Sequence, residues 1–85
     1  MKYQVTIVAS VQKQLDKLPN RTATRIIDKL AALGDEPRPH QCKKLVGYDN
    51  EYRIRIGSYR AIYEIKDSEL IVLVLKVGHR KDIYA

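Results

Sequence analysis

Three arginines, Arg53, Arg55 and Arg60, flank the dipeptide Gly57-Ser58 in a stretch that alternates polar with apolar residues. A guanidinium is planar, stays charged at physiological pH and donates through a fork that fits two oxygens of a phosphate. Gly57-Ser58 suits a two-residue hairpin loop, which pairs Ile56 with Tyr59, Arg55 with Arg60, Ile54 with Ala61 and Arg53 with Ile62. Tyr52, Ile54, Ile56, Tyr59, Ala61, Tyr63 and Ile65 then share one face, and the three arginines come out on the other. Like charges directly opposed across an antiparallel pair cost roughly 0.2–1 kcal/mol, so sheet stability gives no reason for them. A bound anion does.

A second group of polar residues follows. Reading Asp67-Ser68 as another two-residue turn places Arg60 opposite Leu75 and Ile62 opposite Leu73. The strand ending at Val77-Gly78 then delivers His79 and Arg80 to the same edge, and Gly78 lets the chain bend so that Arg80 turns toward the other arginines. His79 is the natural titrating group there, since an imidazole ordinarily titrates at about 6.5. Taken singly, the arginines read as a solvated basic surface, His79 as a satisfied surface histidine and Tyr84 as a terminal packing residue. His40 reads as loop surface, and Glu51 as a salt-bridge partner or proton acceptor near the arginines. Cys42 is the sole cysteine, which excludes an internal disulfide and a multi-cysteine zinc site. No histidine and acid are arranged around it as a nucleophile would need, and no metal or other cofactor is expected.

The elements that position these residues follow from periodicity. Tyr3 to Ile7 alternates as a strand with one buried face. Val8, Val11, Leu15 and Leu18 line one face of a helix with Ser10 as its N-cap, ending at Pro19. Asn20 is read as the cap of a second helix carrying Ala23, Ile26, Ile27, Leu30 and Leu33, with Gly34 as its left-handed C-terminal residue. Pro37 and Pro39 make 35–40 an extended connector. Lys43 to Val46 is a short strand, Gly47 to Asn50 a turn, and strands are predicted over Glu51–Ile56, Tyr59–Lys66 and Glu69–Val77. The fold class is therefore α+β, in the order β-α-α-β-β-β-β, a mainly antiparallel sheet with the helix hairpin on one face.

The 85 residues are expected to form one domain, 1–85, and 45% hydrophobic residues suffice for one sheet packed on a helix pair. A formal charge of +6 draws polyanions, with nucleic acid, ribosome, anionic membrane or acidic protein as the classes of partner. The excess is spread along the chain: residues 1–42 carry 7 Lys/Arg against 4 Asp/Glu, and residues 43–85 carry 9 against 6. Any basic site must therefore be assembled by folding. The apolar runs are too short to span a bilayer and no signal-peptide stretch follows the N-terminus, so a soluble, cytoplasmic protein without a membrane partner is expected.

The segments Tyr52-Arg53-Ile54-Arg55-Ile56-Gly57-Ser58-Tyr59-Arg60-Ala61-Ile62-Tyr63-Glu64-Ile65 and Val72-Leu73-Val74-Leu75-Lys76-Val77-Gly78-His79-Arg80-Lys81-Asp82-Ile83-Tyr84 resemble the RelE toxins. Leu15-Asp16-Lys17-Leu18-Pro19 and Lys43-Lys44-Leu45-Val46-Gly47 also match that family's layout, so the likeness covers nearly the whole chain. It implies the toxin of a type II toxin-antitoxin system: a metal-independent endoribonuclease, an mRNA interferase, acting on mRNA in the ribosomal A site against ribosomal RNA. A cognate antitoxin would hold it inactive. In such enzymes the ribose 2′-hydroxyl attacks the adjacent phosphate, leaving a 2′,3′-cyclic phosphate and a free 5′-hydroxyl. By position, Arg60 matches the phosphate-stabilising arginine, Arg80 the group proposed as acid or phosphate contact, and Tyr84 the tyrosine that stacks on a base.

Arg53 and Arg55 fall where the best-known members have lysines, and an arginine is a poor proton acceptor. The roles expected from the residues themselves are therefore phosphate holding by Arg55 and Arg60, with His79 or a positioned water taking the proton and Lys44 or Tyr84 as alternatives. Arg80 serves the leaving group, and Lys43, Lys44, Arg53 and Lys81 contact RNA phosphates. Two other readings share the scaffold. One is a ParE-type toxin that binds DNA gyrase without a nuclease site, and the other is a non-catalytic RNA-binding module.

Overall fold

The computed structural model describes residues 2–81. Its elements are β1 (Gln4–Ile7), α1 (Ala9–Asp16), α2 (Asn20–Ala32), β2 (Cys42–Lys44), β3 (Glu51–Ile56), β4 (Tyr59–Lys66) and β5 (Ile71–His79). The five strands form one sheet in the order β1-β5-β4-β3-β2, antiparallel except for the parallel pair β1 and β5. This is the α+β arrangement expected from the sequence.

The helices cover the face chosen by the alternation of β3 and β4. Val11 and Leu15 from α1, Ile26 and Leu30 from α2, and Leu33 just beyond it are almost fully buried against Ile54, Ile56, Ala61, Tyr63, Ile65, Val72, Val74 and Val77. Ile27, expected on the same stripe, is 39% exposed because it sits at the edge of the α2 face that meets the sheet.

Neither predicted cap side chain performs that role. Val8 and Pro19 occupy the N-cap positions without side-chain hydrogen bonds, while Ser10 and Asn20 lie inside their helices. Gly34 is likewise not left-handed; Leu33 ends α2 in a right-handed conformation. Gly34 is required by proximity instead. A Cβ there would lie 2.9 Å from the Tyr3 carbonyl oxygen, and the Tyr3 N–H donates to the Gly34 carbonyl at 2.7 Å. Gly34→Ala is expected to destabilise the fold by about 1–3 kcal/mol through this overpacking, measurable as a lowered urea midpoint.

The register of the β3–β4 hairpin is the one predicted, with Arg55 opposite Arg60. Gly57, with φ at 59°, occupies the first turn position, where a type II′ loop needs a residue free to adopt positive φ. The second turn differs from expectation. Asp67–Glu69 forms a 3₁₀ turn closed by Leu70 at φ 56°, so the connection is four residues and β5 starts at Ile71. A register shift between Ile62 and Tyr63 then leaves Leu75 without a partner. Together these place Arg60 opposite Gly78, not Leu75, and Ile62 opposite Lys76, not Leu73. Strand β2 is also shorter than predicted and begins one residue earlier, while Val46 is 98% exposed.

The proline-containing connector is anchored by side chains. Tyr63 donates its buried hydroxyl to the Pro37 carbonyl at 2.7 Å, and its ring stacks on Tyr52 with centroids 6.0 Å apart. Burial pushes the Tyr63 hydroxyl pKa far up, and the neighbouring Cys42 adds to the effect. Arg38 lies over the Tyr52 ring, donates to its hydroxyl at 3.1 Å and pairs with Asp67 at 2.8 Å. Tyr3 donates to the same carboxylate at 2.6 Å.

Arg38, and then the Tyr3 hydrogen bond, hold the Asp67 carboxyl below its ordinary value. A depressed carboxylate contributes stability that is complete above its unfolded pKa and is lost as pH falls through the lower folded value. Asp67→Asn should therefore melt below wild type at neutral pH, with the gap closing below about pH 4, the ordinary aspartate range. Thermal melts at stepped pH check this, and a gap that persists at pH 2 would rule out the ion pair as its source.

Candidate active site

Strands β2, β3 and β4 and the end of the connector enclose a cavity of about 320 Å³ on the sheet face away from the helices. Its lining residues are His40, Gln41, Lys43, Arg53, Arg55 and Arg60. Lys43 pairs with Arg53 and Arg55 with Arg60, and directly paired residues present side chains to the same face. Local patterning alone therefore gathers four cations. Among the described residues no carboxylate lines the cavity. Arg60 is partly buried and its guanidinium donates to the carbonyl of Tyr59 at 3.5 Å. Four cationic donors around one cavity suit a phosphodiester, whose oxygens accept from such groups.

The remaining predicted residues separate from this group. His79 pairs with Tyr59, so it emerges on the helix-covered face and not beside the arginines. Its ring meets Tyr59 edge-on at 5.6 Å and lines a depression with Gln14, Lys17, Leu18 and Val77. The Lys81 N–H donates to His79 Nδ1 at 3.2 Å. A neutral ring that accepts at Nδ1 carries its proton on Nε2 and has no second lone pair to offer. The expected gathering of His79 with the arginines fails for a specific reason. The longer turn and the bulge shift β5 by three residues, and an odd shift exchanges the faces.

Lys44 pairs with Tyr52 and also belongs to the helix side of the sheet, away from the cavity. Arg80 is exposed, with its backbone N–H bonded to the Ser58 carbonyl at 2.8 Å, so it sits beside the β3–β4 loop. Lys81 is exposed next to it. Tyr84 lies outside the described residues. Sequence patterning missed His40 and Gln41, which line the cavity although neither belongs to a strand. Their one signal was position, since Gln41 stands two residues before Lys43 on the same alternation.

Among the described residues no cluster of three or more His, Cys, Asp or Glu is arranged to hold a metal, and no helix is long and apolar enough to cross a membrane.

The fold is that of a small toxin. Residues 5–84 match the family described as the ParE toxin of the type II toxin-antitoxin system parDE. Toxin RelG of Mycobacterium tuberculosis is 33% identical over 87 residues, covering 99% of this chain and 98% of its own. The archaeal RelE–RelB complex from Pyrococcus horikoshii OT3 superposes with a TM-score of 0.85 at 32% identity, over 96% of this chain and 99% of that one. The mRNA interferase toxin RelE of Escherichia coli is 31% identical over 71 residues, 81% of this chain and 74% of its own. The chain belongs to the RelE/ParE superfamily of type II toxin-antitoxin toxins, and within it to the RelE type.

Proposed function

We propose that this protein is an mRNA interferase that cleaves messenger RNA in the ribosomal A site and is restrained by a cognate antitoxin. The observation that carries the reading is the convergence of Lys43, Arg53, Arg55 and Arg60 on one cavity that no carboxylate among the described residues lines. The similarity to a toxin named as an mRNA interferase, and to a toxin solved as a RelE–RelB complex, supports it. Ribosome dependence follows from the resemblance described above. So does a cytoplasmic site of action.

In this reading Arg55 and Arg60 clamp the scissile phosphate from neighbouring strands. The 2′-oxygen forms a bond to phosphorus as the bond to the 5′-oxygen breaks, and the guanidiniums balance the charge on the pentacoordinate phosphorus. Arg80 serves the departing oxygen. Lys43, Arg53 and Lys81 hold flanking phosphates, and Tyr84 stacks on a base. The placement of His79 and Lys44 on the opposite sheet face removes the geometric support for either in the reaction.

The match to the family described as ParE gives the gyrase-directed reading its own footing. One experiment separates the two. Ribosomes programmed with a defined message are incubated with the protein, 5′ ends are mapped, and gyrase supercoiling is assayed in parallel. New 5′-hydroxyl ends with gyrase unaffected are expected. An intact message with inhibited gyrase would replace the nuclease reading with the other.

A further inference from the structure

We infer that His40 is the proton acceptor of the cavity, taking the 2′-hydroxyl proton of the RNA; the assignment rests on the nuclease reading above. Cleavage by 2′-hydroxyl attack needs a base. The charged side chains that line the cavity, Lys43 on β2, Arg53 and Arg55 on β3 and Arg60 on β4, are donors with no lone pair as cations. Gln41 has an amide oxygen that accepts hydrogen bonds but not protons under these conditions. Among the described residues that line the cavity, His40 is the one whose ordinary side-chain chemistry lets it alternate between acceptor and donor near neutral pH. Of the two histidines in the chain, the other has its acceptor nitrogen engaged on the far face of the sheet.

The fold also holds His40 in place. The residues just before it are secured by the Tyr63 hydrogen bond to the Pro37 carbonyl and by the Arg38 contacts to Tyr52 and Asp67. Just after it, the Cys42 N–H closes a turn onto the Pro39 carbonyl at 3.0 Å. A base on a loop is useful only if its approach to the reacting atom is fixed, and these bonds fix the backbone on both sides of the imidazole. The side chain itself is exposed, so it can meet a substrate that enters from solvent.

The step balances as follows. The neutral His40 ring takes the proton from the 2′-oxygen as that oxygen bonds to phosphorus. The electron pair of the breaking P–O bond leaves with the 5′-oxygen, which takes a proton from water alongside Arg80. The imidazolium then returns its proton to solvent, leaving a cyclic phosphate and a 5′-hydroxyl.

The test is single-turnover cleavage of ribosome-bound message between pH 5 and 9 by wild type, His40→Gln, His40→Ala and Arg60→Ala. Wild type is expected to lose rate on the acid side as the imidazole protonates. His40→Gln should fall about 100-fold or more and lose that acid limb, and added imidazole should restore part of the His40→Ala rate. His40 is exposed, so the variants should keep the wild-type melting temperature, which distinguishes lost chemistry from lost fold. If His40→Gln keeps the wild-type rate and acid limb while Arg60→Ala is inactive, the base assignment fails and the nuclease reading stands. A slower His40→Gln with an unchanged pH profile and no imidazole rescue also overturns it, as a contact and not a base. Wild type that leaves the message uncut removes the nuclease reading and the base together.

Discussion

Arg60→Ala should lower cleavage of ribosome-bound message by about 100- to 1,000-fold, the usual effect of removing one preorganised donor from a site of developing charge. The same substitution should leave the melting temperature unchanged or slightly raised. Arg60 faces Arg55 directly across β3 and β4, and relieving a like-charged cross-strand pair returns about 0.2–1 kcal/mol. Among the described residues its guanidinium makes only a long contact to the adjacent carbonyl of Tyr59, at 3.5 Å. Activity and stability should therefore move in opposite directions, as they do where a site is held against the preference of the fold. Arg60→Lys keeps the charge but loses the two-pronged fork, so it should recover only part of the rate. Kinetics and melts on the same preparations give the comparison. A variant that is both inactive and strongly destabilised would show that Arg60 is a structural residue.

The largest effect on stability is expected at Tyr63. Its ring is fully buried between the sheet and the helices, and Tyr63→Ala should cost about 3–5 kcal/mol, enough to unfold much of the population in a domain of this size. Tyr63→Phe keeps the ring and removes only the donor to the Pro37 carbonyl, with an expected loss of about 1–3 kcal/mol. Urea titrations of the three proteins provide the test. If the phenylalanine variant matched wild type, the hydrogen bond would not be what holds the connector. The connector carries His40, so Tyr63→Phe should also slow cleavage more than its modest stability loss accounts for.

Legibility in the sequence followed the range of the interactions. The β3–β4 register could be read because Gly57-Ser58 is a local signal and the alternation on both sides agrees with it. The Asp67–Leu70 turn could not, since it uses a leucine in a left-handed conformation that local propensity disfavours. The error in that one turn, with the bulge at Leu75, carried His79 to the wrong face in the sequence-based register. The arginines needed only nearest-strand pairing, so their convergence was legible. His40 was not, because its place depends on Arg38, Asp67, Tyr52 and Tyr63, which lie up to 29 residues apart in the chain. Parallel pairing of β1 with β5 was equally out of reach, as neither strand marks its partner.

That pairing of the first strand with the fifth bears on how the protein is made. Gln4 meets Ile71, and β5 itself fills the gap between β1 and β4. A nascent chain that has not yet emerged past residue 71 has an open slot at the middle of its architecture, and its N-terminal ribbon has nothing to dock on. Contacts this distant close late, so the finished cationic surface cannot be displayed by a half-synthesised polypeptide. Translation arrest at successive lengths, read by protease resistance, should show protection arising only once β5 has cleared the exit tunnel.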